Sequence, residues 1–359
     1  MEKIKVAVVG TGSICSSAHM PVYMKRDDVE VIACADIDFE KAKAFAEKFN
    51  VPAAYSSVEE LLANHKPDYV DVCTWPAAHG PVSIAAANAG CNVMCEKPIC
   101  HNLEDAIALR DAVKKNNVKF MLAVPLRYGK AAVQARKLVD EGVLGDVYYG
   151  KTAYVRQRGI PGGWFSCTKY AGGGPIIDIG VHRIDLAWYM MGCPKPVSVS
   201  ATASYRIGDY REAPKVDPVT GEVSATNAWS GAQVADYKFD VEDAASGIFR
   251  FENGAQLIFE TSWSFNGPIN NSTQVAGDKA GITLEPFKLY KADGEKLIEE
   301  DIQGDFAGDI FANEIDHFID CIRNDKTPSS DIDQAVQLQA MLMGIYESSK
   351  AGKEVQLTY

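Results

Sequence analysis

The segment Ile4–Val9 is almost wholly apolar and runs directly into Gly10-Thr11-Gly12-Ser13-Ile14-Cys15. A short continuous apolar run suits a strand of a parallel sheet buried on both faces. Gly10 then allows a tight turn, and Gly12 lets the main chain approach a pyrophosphate at a helix N-terminus. The pattern is G-x-G-x-x-G with Cys15 in the last glycine's place, a position that governs how closely helix packs on strand. Asp36 closes the next such run, at roughly the ~20-residue distance where a carboxylate accepts both ribose hydroxyl protons of an adenosine. It competes with Asp38 for another task, capping the following helix.

The same alternation continues. Apolar runs at 69–74, 92–95 and 120–124 alternate with helical patterns such as 40–49 and 103–115, and Ser57-Val58-Glu59-Glu60 has capping-box spacing. Strand–helix repetition at this tempo means βαβ units and a doubly wound α/β domain, the Rossmann arrangement, placed at residues 1–126. Beyond it the character changes. Helical patterns at 130–141 and 176–191 are followed by strand patterns at 197–205, Ala244–Phe251 and 255–262, with Asn253-Gly254 and Asp293-Gly294 as hairpin turns. Residues 127–359 therefore form an α+β domain with a large, mostly antiparallel open sheet. Its helix at 331–349 is a candidate to pack back between the domains. Residues 209–235 have no period and read as a long excursion.

Composition narrows the function. The formal charge of −12 gives no basic surface for nucleic acid or an anionic membrane. No apolar run approaches the ~20 residues of a membrane span. Nine cysteines without any C-x-x-C pair point to free thiols and a cytoplasmic setting. The histidines show no zinc spacing, so no metal is expected.

Two further segments carry chemistry. Glu96-Lys97-Pro98 follows the strand at 92–95, at the sheet edge where ligands of open α/β sheets bind. An ordinary Glu-Lys pair is a solvated surface pair, but the proline favours a fixed strand-end position. In Gly172-Gly173-Gly174-Pro175-Ile176-Ile177-Asp178-Ile179-Gly180-Val181-His182, the proline suits a first helical turn. Asp178 and His182 then lie at i and i+4 on one face. The glycines let another group come close to the helix start.

With these segments in this order, the whole chain resembles the glucose–fructose oxidoreductase / inositol dehydrogenase (Gfo/Idh/MocA) family. Thr74-Trp75-Pro76-Ala77-Ala78-His79 is similar to that family's strand-end segment beside the nicotinamide ribose. The resemblance implies Lys97, Asp178 and His182 as catalytic residues. It also implies NAD as cofactor, bound by Gly10, Gly12, Ser13, Ile14, Asp36, Thr74, Trp75, His79, Glu96 and Lys97.

The chemistry is compatible. Oxidising a secondary alcohol needs a base for the hydroxyl proton, and an imidazole with an intrinsic pKa near ~6.5 serves at neutral pH. Asp178 can orient that ring or bond the same substrate oxygen, and Lys97 places positive charge where alkoxide develops. Arg127, Tyr128, Arg156, Arg158 and Trp164, with Tyr154, Lys169 and Tyr170 nearby, offer aromatic faces and forked donors for a polyhydroxylated ring. The expected substrate is a sugar or glycoside oxidised at a ring carbon, C3 of a pyranoside among the positions. An inositol dehydrogenase, a redox-neutral NAD-dependent glycosidase and a cofactor-sensing regulator are the rivals, although a sensor has no need of Lys97, Asp178 and His182. A homo-oligomer is expected through the open sheet.

Overall fold

The computed structural model describes residues 2–208 and 234–359, so nearly all of the excursion at 209–235 lies outside the described residues. The first sheet contains β1 (Ile4–Val9), β2 (Val29–Ala35), β3 (Ala54–Tyr55), β4 (Tyr69–Val72), β5 (Asn92–Glu96) and β6 (Phe120–Ala123). All its pairings are parallel, and the order is β3-β2-β1-β4-β5-β6. The order reverses between β1 and β4, which opens a crevice beyond the strands' carboxyl ends. Gly10, Thr74 and Lys97 follow β1, β4 and β5 and stand at that edge.

Both faces of this sheet are covered. Val6 and Val8 join a core with Cys34, Met94 and Met121, whereas Ala7 and Val9 join one with Ala35, Val72 and Val93. Each buried valine contributes about 1.5–3 kcal/mol. The chain returns here at its end. Ile315 and Phe318 of the helix Ile310–Arg323 pack on the first face, and Val336 and Met341 of the helix Ile332–Ala351 on the second. Ser330 covers the open edge of β6, its carbonyl accepting from the Leu122 N–H and its hydroxyl donating to the Leu122 carbonyl.

The second sheet holds β7 (Val147–Val155), β8 (Pro196–Ser204), β9 (Ala244–Phe251), β10 (Gln256–Ser262), β11 (Asn270–Gly277), β12 (Ala280–Leu284), β13 (Phe287–Asp293), β14 (Lys296–Asp301) and β15 (Val355–Gln356). The order is β14-β13-β12-β11-β7-β10-β9-β8-β15, and only β7 with β10 pairs in parallel. Both expected hairpins form, with Gly254 and Gly294 at φ +84° and +61°. Leu257, Phe259, Thr261 and Trp263 are all buried on one side, and Gln256, Ile258 and Glu260 are half-buried on the other. No sequence pattern marked β7 at the sheet's centre, because Tyr148-Tyr149-Gly150-Lys151 breaks its alternation. Gly150 is there for the helix above, since a Cβ would press on the Met191 sulfur.

Arg127 corrects one expectation. It is 2% exposed, and its Nε and Nη2 grip both Asp185 oxygens at 2.8 and 2.6 Å. Its Nη1 donates to the Ser329 carbonyl and Gln334 Oε1. With every nitrogen engaged, this guanidinium is a strut between the helix Val181–Met190 and the C-terminal helix. Tyr128 is likewise buried, its hydroxyl 3.0 Å from the Ser329 hydroxyl. Arg127→Ala would strand the buried Asp185 charge, so it should lower stability by about 3–5 kcal/mol in urea unfolding.

Candidate active site

The glycine turn is built by close approach. Gly10 sits at φ +91°, and a Cβ there would lie 2.6 Å from the Cys73 carbonyl carbon and oxygen. Beside Gly12 nothing stands within 4 Å of where a Cβ would be. That open cradle at the start of a helix is where main-chain N–H groups can meet a pyrophosphate. Cys15 is fully buried, so the thiol replaces the third glycine without keeping the helix off the sheet. Ser13 is exposed and Ile14 half-buried on the same first turn.

Asp36 and Asp38 divide their two tasks. Asp38 caps the helix Phe39–Phe49, accepting from the Lys41 N–H. Asp36 turns to the glycine loop instead, where Oδ2 accepts from the Thr11 N–H at 2.9 Å and the Thr11 hydroxyl at 2.8 Å. Oδ1 accepts only from the Asp38 N–H, which leaves it lone-pair capacity for a ribose hydroxyl. The residues present therefore fit a dinucleotide.

His79 lies deeper than the cleft. Its ring is buried between the Pro98 carbonyl, 2.6 Å from Nδ1, and the Thr74 carbonyl, 3.0 Å from Nε2. It ties the end of β4 to the turn after Lys97. Trp75 immediately precedes the helix Pro76–Asn88, and its ring meets Tyr170 across the two halves, ring centres 5.1 Å apart.

Lys97 reaches from the first half to the second. Its Nζ donates to the Asp178 main-chain oxygen at 2.7 Å and lies 3.6 Å from Asp178 Oδ1. Asp178 Oδ2 accepts from the Trp263 indole at 2.9 Å. Asp178 thus holds the lysine, and no hydrogen bond joins it to His182. Its turn, Ile176–Gly180, is π-helical rather than α-helical, a form common at functional sites, before the α-helix Val181–Met190 begins.

His182 is half-buried, and its Nδ1 is buried with no partner. Burial first, then the charges of Lys97, Arg183 and Arg156, holds its pKa well below the ordinary histidine value of 6.5. The ring is therefore neutral and free to accept a proton. Arg183 is paired with Glu285, whereas the Arg156 guanidinium donates to the Tyr154 hydroxyl and the Gly159 carbonyl and lies over the Tyr154 ring. Arg158 stands further out, bonded to Asn266 and Gln157. Trp164 stacks on Phe165 at 3.8 Å, and Lys169 and Tyr170 both bind Asp236.

Sequence reasoning missed the groups that hold the turn bearing Asp178. Buried Glu242 accepts from the Gly174 N–H at 2.9 Å, the Ile176 N–H at 3.0 Å and the Tyr346 hydroxyl at 3.0 Å. It acts as a cap supplied from far along the chain, and the glycines exist for it. A Cβ on Gly173 would overlap the Tyr346 hydroxyl, and one on Gly174 the Glu242 main chain.

Comparison with known proteins agrees with this geometry. Residues 4–124 match the model of the oxidoreductase family with an NAD-binding Rossmann fold, and residues 132–283 the GFO/IDH/MocA C-terminal domain. D-glucoside 3-dehydrogenase of Escherichia coli is 31% identical over 99% of this chain and 97% of its own. The chain belongs to the GFO/IDH/MocA family. Its cofactor is NAD, and it is an NAD-dependent oxidoreductase. Levoglucosan dehydrogenase of Pseudarthrobacter phenanthrenivorans is 27% identical over 79% of this chain and 74% of its own. Two solved structures share the fold. An oxidoreductase domain protein from Kribbella flavida has a TM-score of 0.85 at 23% identity, covering 100% of both chains. Levoglucosan dehydrogenase with NADH and levoglucosan has 0.81 at 23%, covering 99% of this chain and 100% of that one.

Gly174→Ala should displace the capping contact at a cost of about 1–3 kcal/mol, the usual toll of overpacking. Thermal unfolding should show that loss, and kcat should fall with it because Asp178 and His182 move together.

Proposed function

We propose that this enzyme oxidises a ring secondary alcohol of a sugar or glycoside, at C3 of a pyranoside. The observation that carries the reading is the convergence of Lys97, Asp178 and a neutral His182 at the mouth of the dinucleotide cradle. The full-length likeness to the E. coli enzyme named D-glucoside 3-dehydrogenase supports the substrate class. NAD, when bound, supplies the nicotinamide that accepts hydride. His182 takes the hydroxyl proton. Lys97 sets a fixed positive charge beside the oxygen as it becomes alkoxide, and Asp178 keeps that ammonium in place. Arg156 and Trp164 are assigned to the sugar, Arg158 to its outer end. A panel of glucosides and inositols, followed by NADH formation and product regiochemistry by NMR, tests the reading; oxidation of inositols alone would sink it.

Asp36 sets cofactor choice. A 2′-phosphate about 4 Å from its carboxylate would cost ~1 kcal/mol in water and ~4 kcal/mol at an effective dielectric of 20. NAD should therefore be preferred over NADP by about tenfold or more in kcat/KM. Equal values would mean that Asp36 does not face the ribose.

The base assignment has a mutational test and a pH test. His182→Ala should slow turnover by about 10²–10⁴-fold with NAD binding retained. Lys97→Met should cost about 10²–10³-fold through lost charge stabilisation. Because the His182 pKa is lowered, its neutral form persists as the medium is acidified. The acid limb of kcat/KM should accordingly fall below pH 6.5, the unperturbed value. An acid limb centred above that pH would contradict the assignment.

A further inference from the structure

Behind the catalytic lysine, on the far side of the strand ends, lies a closed group of ionisable side chains that the reaction scheme does not use. His19 stands on the π-helical turn after the glycine loop and is fully buried. Its Nδ1 is 2.8 Å from Asp71 Oδ2 on β4, and its Nε2 is 3.2 Å from Glu96 Oε1 at the end of β5. Asp71 is itself 0% exposed and Glu96 6%. A neutral imidazole carries one N–H and can donate to one carboxylate only, so between two ionised carboxylates the geometry favours a ring that carries both protons.

Tyr23 donates its hydroxyl to Asp71 Oδ2 at 2.8 Å, and the Cys73 sulfur lies 3.4 Å from both Asp71 Oδ1 and His19 Nδ1. Tyr69 is buried beside Tyr23, with ring centres 6.4 Å apart. From the helix Ile310–Arg323 come the Phe311 ring, 6.1 Å from that of His19, and Glu314. Burial, then the charge of Glu96, holds the Glu314 carboxyl well above the usual carboxylate range, so it adds no third negative charge. Burial opposes the imidazolium, but the charges and hydrogen bonds of Asp71 and Glu96 prevail and raise its pKa well above 6.5.

Glu96 faces two ways. While Oε1 meets His19, Oε2 accepts from the Lys97 main-chain N–H at 3.2 Å. We propose that His19 is a positioning residue for the oxidation: clamped between Asp71 and Glu96, its ring fixes the carboxylate that holds the main chain of Lys97. The inference rests on the role given above to Lys97. It explains why a charged pair is retained in a core where its desolvation is costly. The helix that opens the NAD site and the lysine that opens the alcohol site are thereby locked to one another.

The test uses the full-length enzyme labelled with ¹⁵N-histidine. At pH 8 both His19 ring nitrogens should carry protons, assigned by the signals lost in His19→Gln. Should that variant not fold, Glu96→Gln gives the assignment by perturbing the Nε2 signal. A single ring proton overturns the proposal. So does loss of the Nδ1 proton to a metal ion, which His19, Asp71 and Cys73 are near enough to hold, their ligand atoms lying within 4.8 Å of one another. Kinetically, His19→Gln should lower kcat about tenfold or more, with KM for NAD changed by less than about threefold and a larger substrate deuterium isotope effect. Native kcat in His19→Gln alongside a crippled Lys97→Met would sink this inference alone. Native kcat in Lys97→Met would instead sink the reading of the site on which it rests.

Discussion

The contact on which the rest depends is the one from Lys97 Nζ to the Asp178 carbonyl, with the Asp178 carboxylate close behind. Lys97 belongs to the end of a strand in the first sheet, and Asp178 to a helix that covers the second. Eighty-one residues separate them in sequence. An ammonium is a compact charge on a flexible stem, so its position is only as definite as the groups that receive it. Here one main-chain oxygen and one carboxylate receive it. The carboxylate is in turn held by the indole of Trp263, which directly follows β10 of the second sheet. Each half of the molecule therefore supplies part of this contact.

Such a contact works only if both backbones are rigid, and both are held by buried carboxylates. Glu242 receives two N–H groups from the glycine-rich start of the helix that carries Asp178 and His182, and Glu96 receives the Lys97 N–H. Hydrogen bonds to a charged acceptor contribute about 1.5–3 kcal/mol each, roughly twice the neutral figure. A carboxylate buried without such donors would cost more than it stabilised. Glycine is what allows the Glu242 bonds to form. At Gly173 and Gly174 the helix start lies against Tyr346 and the Glu242 main chain too closely for any side chain.

The first half of the fold could be read from the chain because its signals are local. Apolar runs such as Ile4–Val9 and the turn Gly10-Thr11-Gly12 record burial on both faces and a close approach within a few residues. Asp36 was readable for the same reason, although only the structure divides its work from that of Asp38. The second half was harder. β7 is central yet not apolar, and its parallel neighbour β10 lies about a hundred residues further along the chain, so nothing local marks the pairing. Arg127 looked like a ligand because a guanidinium in a sequence carries no sign of the Asp185 that will bury it. Glu242, Trp263 and His19 were missed because their significance lies in their partners. The triple glycine was the one local trace of Glu242, a vacancy shaped for a group supplied from elsewhere.

If His182 is the base, as proposed above, its surroundings explain how a weakened base can serve. Burial, and after it the charges of Lys97, Arg183 and Arg156, depresses its basicity, which by itself slows proton transfer. The same positive field acts on the substrate hydroxyl, however, and lowers the cost of the alkoxide that the transferred proton leaves behind. A base and an acid placed in one field shift in the same direction, so the driving force for transfer between them is largely preserved. What the field adds is selectivity for charge. Alkoxide character gains from it, whereas an imidazolium does not, so the arrangement stabilises the alkoxide from which hydride departs rather than the protonated base. An unpartnered Nδ1 is consistent with this division. A carboxylate bonded there would strengthen the base but cancel part of the positive field that favours the alkoxide.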